Sequence, residues 1–187
     1  MTRPVQRGDA IRLVACGSMA LARLVELAYS RRNLDRHADR REGRASRATY
    51  PLIVAVHTMV IVGTLLRGAR RPSTGWLALL ASAQPFRLWV LLLLRDRWNA
   101  RGSVPSGLRV ETRGPYAWVR HPNYAIVIVE LFALPMAFRL RALAVLAAVV
   151  NGILLAVRIR DEERLLFAES GYRRHFARKP RFVPRII

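Results

Sequence analysis

Apolar and polar residues fall in blocks along this chain. After a short polar start at residues 1–9, residues 10–29 are largely apolar. Pro51 to Leu66 and Trp76 to Leu94 form the second and third apolar runs, and two shorter runs follow at 122–138 and 142–157, separated by Arg139 and Arg141. Runs bounded by charge in this way read as membrane-spanning helices, since a bilayer takes about 20 apolar residues per helix. The last two runs are short for that and read together as a helical hairpin that dips through the membrane and returns. The pattern predicts an all-α fold: one domain over residues 1–187, a polytopic membrane helix bundle of about five transmembrane helices. A C-terminal cytoplasmic helix starts at Arg158, and a loop ends at Pro180–Pro184. Ala20-Leu21-Ala22 resembles a signal-peptide cleavage site, but the apolar pattern runs on past Arg23 and Glu26.

The polar residues inside those runs carry the information. Arg23 and Glu26 are spaced to share a helix face and pair. Gln84 and Arg87 are expensive in lipid and should face the bundle, while Pro85 between them should kink its helix. His57 reads as a packed or hydrogen-bonded residue. Glu130 is the sharpest case, because an intramembrane carboxylate is a functional candidate by default. Raised in pKa by burial, it would suit a general base. Asn151, Leu155, Arg158 and Glu162 fall on one helix face, which lets Arg158 either pair with Glu130 or hold a substrate carboxylate. A transporter would place Glu130, Arg87 and His57 along one polar pathway, but the spans show no internal repeat. A structural membrane subunit is the other non-enzyme alternative.

Composition sharpens the class. The chain has 187 residues, is 52% hydrophobic and carries a formal net charge of +20. Apolar spans joined by charged loops account for both. A nucleic-acid binder would share the pI near 11.8. Here the charges sit between apolar runs with no basic–aromatic recognition motif, so no nucleic acid partner is expected. A single cysteine, Cys16, excludes an intrachain disulfide or a cysteine-based zinc site, and no metal is expected. The loops at 31–47 and 95–121 and the tail are rich in arginine, whereas the N-terminus, 67–72 and the hairpin tip are poorer. The positive-inside rule then places the chain multi-pass in the inner or plasma membrane, N-terminus outside and C-terminus cytoplasmic.

One stretch concentrates the chemistry: Gly114-Pro115-Tyr116-Ala117-Trp118-Val119-Arg120-His121-Pro122-Asn123-Tyr124. Gly114-Pro115 reads as a tight turn. Pro122 suits the first position of a helix, making His121 its cap. The amides of Asn123, Tyr124 and Ala125, with Arg120, would then suit a small carboxylate or phosphate. A second element, Arg158-Ile159-Arg160-Asp161-Glu162-Glu163-Arg164-Leu165, is followed by Gly171-Tyr172.

The order G-P-Y-x-x-x-R-H-P-N-Y, a hydrophobic hairpin, then E-E resembles the isoprenylcysteine carboxyl methyltransferase family of integral membrane enzymes. The stretches Arg23–Asn33 and Arg87–Asn99 also resemble its bacterial members, and the likeness is strongest over 109–175. Ile126 stands where many relatives carry glycine. With Asn123 and Glu130, this resembles the bacterial subgroup associated with type III polyketide synthases. The resemblance implies S-adenosylmethionine as cofactor and a cofactor site made of Tyr116, Arg120, His121, Pro122, Asn123, Tyr124, Glu162 and Glu163. Glu162 or Glu163 would take the ammonium or ribose diol, and Tyr116, Trp118 and Tyr124 would flank the adenine or sulfonium. Glu130 and Arg158 are the candidate catalytic residues. The partner is a lipophilic small molecule or lipidated acceptor, drawn sideways from membrane lipid: an alkylresorcinol or alkylpyrone hydroxyl, with an isoprenylcysteine carboxylate or a phospholipid amine as alternatives. No G-x-G-x-x-G fingerprint of a soluble methyltransferase is present.

Overall fold

The computed structural model describes residues 7–36, 39–105, 107 and 109–184; the start at 1–6, with Arg3, lies outside the described residues. The fold is all-α. The helices are α1 (Arg7–Asp35), α2 (Arg44–Arg67), α3 (Thr74–Leu94), α4 (Pro122–Ala137), α5 (Arg141–Ala168) and α6 (Ser170–Phe176), with short 3₁₀ turns at Arg95–Arg97 and Gly114–Ala117. Among the described residues, three segments are long and apolar enough to cross a membrane: Arg44–Arg67, Thr74–Arg97 and Arg141–Ala168. Of the other two expected spans, α1 has the length, at 29 residues, but carries charge along it. The helix α4 is apolar but has 16 residues.

Several helices outrun the apolar runs that predict them. α1 continues through Arg31 and Arg32 to Asp35, and α5 continues unbroken through Arg158, Glu162 and Glu163. α2 begins at Arg44, ahead of Pro51, which the helix accommodates in its interior. There the Ser46 N–H donates to the Asp161 carboxylate at 2.7 Å, so an acid from α5 supplies the cap that the α2 sequence lacks. Pro85 lies within α3 without ending it.

The helices α3 and α4 pack together, as do α2 and α5; α4 also packs on α5 and α1 on α2. Val60, Leu131, Leu134, Phe138 and Ala147 form one core cluster. Val90, Tyr116, Ile126, Leu166, Tyr172 and Phe176 form a second. Outward-facing leucines such as Leu24, Leu66 and Leu92 are exposed, as suits a bundle whose solvent is lipid.

The two sets of loops lie at opposite ends of the bundle. At one end Arg12 of α1 donates to the Gly68 carbonyl, and the Ala69 and Ser73 amides donate to Phe138 and Ala137 at 2.9 and 2.7 Å. At the other end Asn33 donates to the carbonyls of Arg95 and Trp98 at 3.0 and 2.8 Å, and Arg41 pairs with Val104 through backbone bonds. The arginine-rich loops share this second end with the motifs.

Between the ends lies a buried charge cluster. Arg87 of α3 holds the Glu26 carboxylate of α1 through two guanidinium nitrogens, and Arg23 lies 3.1 Å from it. The Glu130 carboxylate of α4, 1% exposed, accepts from Gln84 at 2.9 Å, Arg87 at 3.3 Å and Arg23 at 3.4 Å. Gln84 and Arg87 therefore do face the bundle, and Arg23 does pair with Glu26. The Glu130–Arg158 pair does not form. Arg158 lies at the motif end, while Glu130 points towards α1 and α3, where two arginines already wait.

Candidate active site

Gly114 opens the motif with φ +57°, and a Cβ there would meet Leu93 and Trp89 at 2.8 and 2.9 Å. Glycine alone satisfies both the turn and the close approach to α3. The 3₁₀ turn that follows buries Tyr116. Pro122 then starts α4 with His121 at the capping position, but the imidazole makes no capping bond. Its Nε2 instead donates to Glu163 at 3.0 Å and its ring stacks on Tyr124. The Ala125 amide bonds to the His121 carbonyl, which removes one of the three amides expected to face a ligand.

Glu163 thereby becomes a junction. Besides His121 it takes Arg120 at 3.2 Å and Arg181 at 2.7 Å. The tail that carries Arg181 lies against the motif: the Arg120 and His121 amides donate to the Pro180 and Arg181 carbonyls at 2.9 and 3.0 Å. Lys179 donates to the Tyr116 carbonyl at 2.8 Å. Glu162, one residue away, turns elsewhere. It accepts from the Tyr124 hydroxyl at 2.5 Å, and Arg158 donates through Nε to that same hydroxyl at 3.0 Å.

A loop without an obvious sequence signal completes the enclosure. Asn99 Oδ1 accepts from the Arg101 and Ser103 amides at 3.1 and 3.0 Å, and its amide donates to the Ser103 carbonyl at 2.8 Å. This self-bonded turn brings the Ala100 carbonyl onto Arg158. Gly102 has φ +69°, and a Cβ there would lie 3.0 Å from Arg158 and 3.3 Å from Glu162. Nearby, hydrogen bonds from Arg113 and then Arg97 bring the Glu111 carboxyl down to about 2. Burial raises the Tyr116 and Tyr172 phenols, which keeps both protonated as donors.

These groups line one cavity of about 760 Å³. Its motif end includes Tyr116, Arg120, His121, Asn123, Tyr124, Arg158 and Glu162, together with Trp98, Ser103 and Tyr172. Pro122, Glu163 and Glu130 are not among the lining residues. Trp118, expected to flank a ligand, is 60% exposed and faces away. The cavity continues between α1 and α2, past Glu26, Arg23 and His57, to an apolar slot lined by Ala20, Leu24, Val54 and Ile61. Leu24 and Val54 are also exposed on the outer surface, so the slot meets the lipid-facing side.

Among the described residues, buried polar atoms of the motif end without a hydrogen-bond partner within the protein include Trp98 Nε1, Ser103 Oγ, Arg120 Nε, Asn123 Oδ1 and the Tyr172 hydroxyl. Buried polar groups are almost always paired. Donors and acceptors left open together, beside Arg120 and the Glu162 carboxylate, fit a ligand with both amino-acid and nucleoside character.

Comparison with known proteins agrees with this geometry. The profile of the isoprenylcysteine carboxyl methyltransferase (ICMT) family matches residues 76–168, from α3 to the end of α5. The uncharacterized protein YpbQ of Bacillus subtilis (strain 168) is 31% identical over 154 residues, covering 79% of this chain and 92% of YpbQ. The two additional stretches of resemblance face each other in the fold, through Glu26 on Arg87, Asn33 on Arg95 and Trp98, and Tyr29 stacked on Trp98. The chain belongs to the ICMT family, whose membership implies a membrane methyltransferase.

Proposed function

We propose that this protein is an S-adenosylmethionine-dependent O-methyltransferase acting on a lipid-tailed acceptor, an alkylresorcinol or alkylpyrone hydroxyl. The observation that carries the reading is the continuity of the cavity: one end is polar and short of hydrogen-bond partners, the other apolar and open towards lipid. In this reading Arg120 and the Asn123–Tyr124 helix start receive the donor carboxylate, with His121 held beside them by Glu163. Glu162 takes the ammonium or the ribose diol. Trp98, Ser103 and Tyr172 close on the nucleoside, while Tyr116 and Tyr124 supply ring faces. The bound cofactor supplies an activated methyl group on a sulfonium. Glu163 is a positioning residue, because Arg120, His121 and Arg181 already occupy its carboxylate.

Methyl transfer is an in-line displacement, in which the protein mainly aligns the acceptor oxygen, the methyl carbon and the sulfur. The slot between α1 and α2 holds the tail and so fixes the head group. Arg158, tied to Tyr124 and to the Ala100 carbonyl, holds the wall between the two ends. The test is methyl transfer from labelled S-adenosylmethionine to a long-chain alkylresorcinol by protein in detergent or liposomes. Methylated resorcinol is expected; methylation of an isoprenylcysteine analogue or a phospholipid amine alone would reject the assigned acceptor.

A further inference from the structure

A neutral hydroxyl needs a proton acceptor when it attacks, and that makes the inventory of bases along the cavity decisive. Glu130 does not line the cavity, and Gln84, Arg87 and Arg23 occupy its carboxylate. Glu26 is held by Arg87 and Arg23. Glu111 is held by Arg97 and Arg113, and Glu162 accepts from Tyr124. His121 donates from Nε2 to Glu163, which leaves its lone pair on Nδ1, but it sits at the motif end beside Arg120, where the methyl donor is placed.

His57 of α2 is different. Its Nδ1 lies 2.8 Å from the Ile53 carbonyl, one turn back on the same helix. A carbonyl oxygen only accepts, so Nδ1 carries the hydrogen. In the neutral ring Nε2 is then a bare lone pair. His57 lines the cavity, with Ile53, Val54 and Ile61 around it on α2 and Arg23 and Glu26 opposite on α1. Tyr50, at the motif end under Arg101, lies seven residues earlier on the helix, which places His57 about 10 Å deeper. That depth is where the polar end gives way to the apolar slot, and so where the head of a lipid-tailed acceptor would sit. The charged groups acting on the ring are Arg23 and Glu26 from α1 and Arg87 from α3.

We infer that His57 Nε2 is the proton acceptor for a phenolic or enolic acceptor hydroxyl, selecting a neutral hydroxyl over a carboxylate. This rests on the methyltransferase reading above. As the hydroxyl oxygen forms its bond to the methyl carbon, the carbon–sulfur electron pair returns to sulfur, leaving a neutral thioether. The O–H pair stays on oxygen and the proton moves to Nε2. The imidazolium, flanked by Arg23 and Arg87, passes its proton to water as product leaves. A carboxylate acceptor, already ionised, would not need His57.

The test uses full-length protein, 5-pentadecylresorcinol as acceptor, and the variants His57→Ala and His57→Gln. Calorimetric binding of S-adenosylhomocysteine serves as the independent readout of fold and cofactor site. Both variants are expected to bind S-adenosylhomocysteine within about twofold of wild type and to lose about 100-fold or more in kcat. Added imidazole should restore part of the His57→Ala rate. Full turnover by variants that bind S-adenosylhomocysteine overturns the inference alone. A wild type that binds S-adenosylhomocysteine yet methylates only N-acetyl-S-farnesylcysteine overturns the inference together with the assigned acceptor, and leaves the methyltransferase reading standing. A wild type that binds no S-adenosylhomocysteine overturns this inference together with the methyltransferase reading.

Discussion

At the scale of single residues, Glu162 and Glu163 show how adjacent carboxylates are separated by their partners. Glu163 faces Arg120, His121 and Arg181, so its charge is spent inside the protein. Glu162 faces the cavity with one phenol on it. Glu162→Ala should therefore weaken S-adenosylhomocysteine binding at least tenfold, the equivalent of about 1.4 kcal/mol, while leaving the helical content intact. Unchanged affinity in calorimetry would remove Glu162 from the site. Gly102 makes a second residue-scale case. Alanine at its φ of +69° adds strain of about 1–2 kcal/mol and pushes a methyl group towards Arg158 and Glu162. Gly102→Ala should raise the S-adenosylhomocysteine Kd by about tenfold or more, and a Kd equal to wild type would show that the loop does not approach the ligand.

At the scale of elements, the charge cluster ties α1, α3 and α4 together in the apolar layer. Breaking one side of such a cluster leaves a buried cation unpaired, which costs about 3–5 kcal/mol. Glu130→Gln should lower the thermal midpoint in detergent markedly and leave S-adenosylhomocysteine affinity near normal; an unchanged midpoint would contradict the structural role. The 95–113 loop has its own clamp, Arg97 and Arg113 on Glu111. The Glu111 carboxyl titrates near 2 when folded against an ordinary 4.5. Its contribution to stability is therefore complete above 4.5 and is lost as pH falls towards 2. Glu111→Gln should flatten the fall of the thermal midpoint across that acid range, and an identical fall in both proteins would rule the clamp out. The helices themselves were legible in the sequence, because block apolarity is a local property. Their ends were less so: α1 and α5 extend through arginine-rich turns that resemble loops by composition. The family motif was legible as well, and so was the presence of polar residues within spans. Pairing was not. Glu130 meets Arg87 and Arg23 rather than Arg158, because helix-face spacing says which residues share a side and not which helix lies opposite. The Asn99–Val104 turn and the Arg181 tail act through contacts far along the chain, and no local pattern announces them.

At the scale of the whole molecule, the arginine-rich loops and the methyltransferase motifs share one end of the bundle, while the Arg71 and Arg139 turns, joined by a bond from Arg139 to the Arg71 carbonyl, sit at the other. The positive-inside rule predicts the motif end towards the cytoplasm; on that prediction Arg71→Cys should react with a membrane-impermeant thiol reagent added outside intact cells. Arg174→Cys, on exposed α6, should react only after lysis, and the reverse pattern would invert the topology. The same bundle gathers the family motif, the Asn99 turn and the tail around one end of a single cavity, so ligand affinity should depend on all three. The most direct measurement is calorimetric binding of S-adenosylhomocysteine to the detergent-purified protein beside an Arg120→Ala, His121→Ala double variant. Saturable binding by the wild type that the double variant loses, with both proteins equally helical, is the predicted result. No binding by a well-folded wild type, or equal binding by both proteins, would contradict the assignment of this cavity as a methyl-donor site.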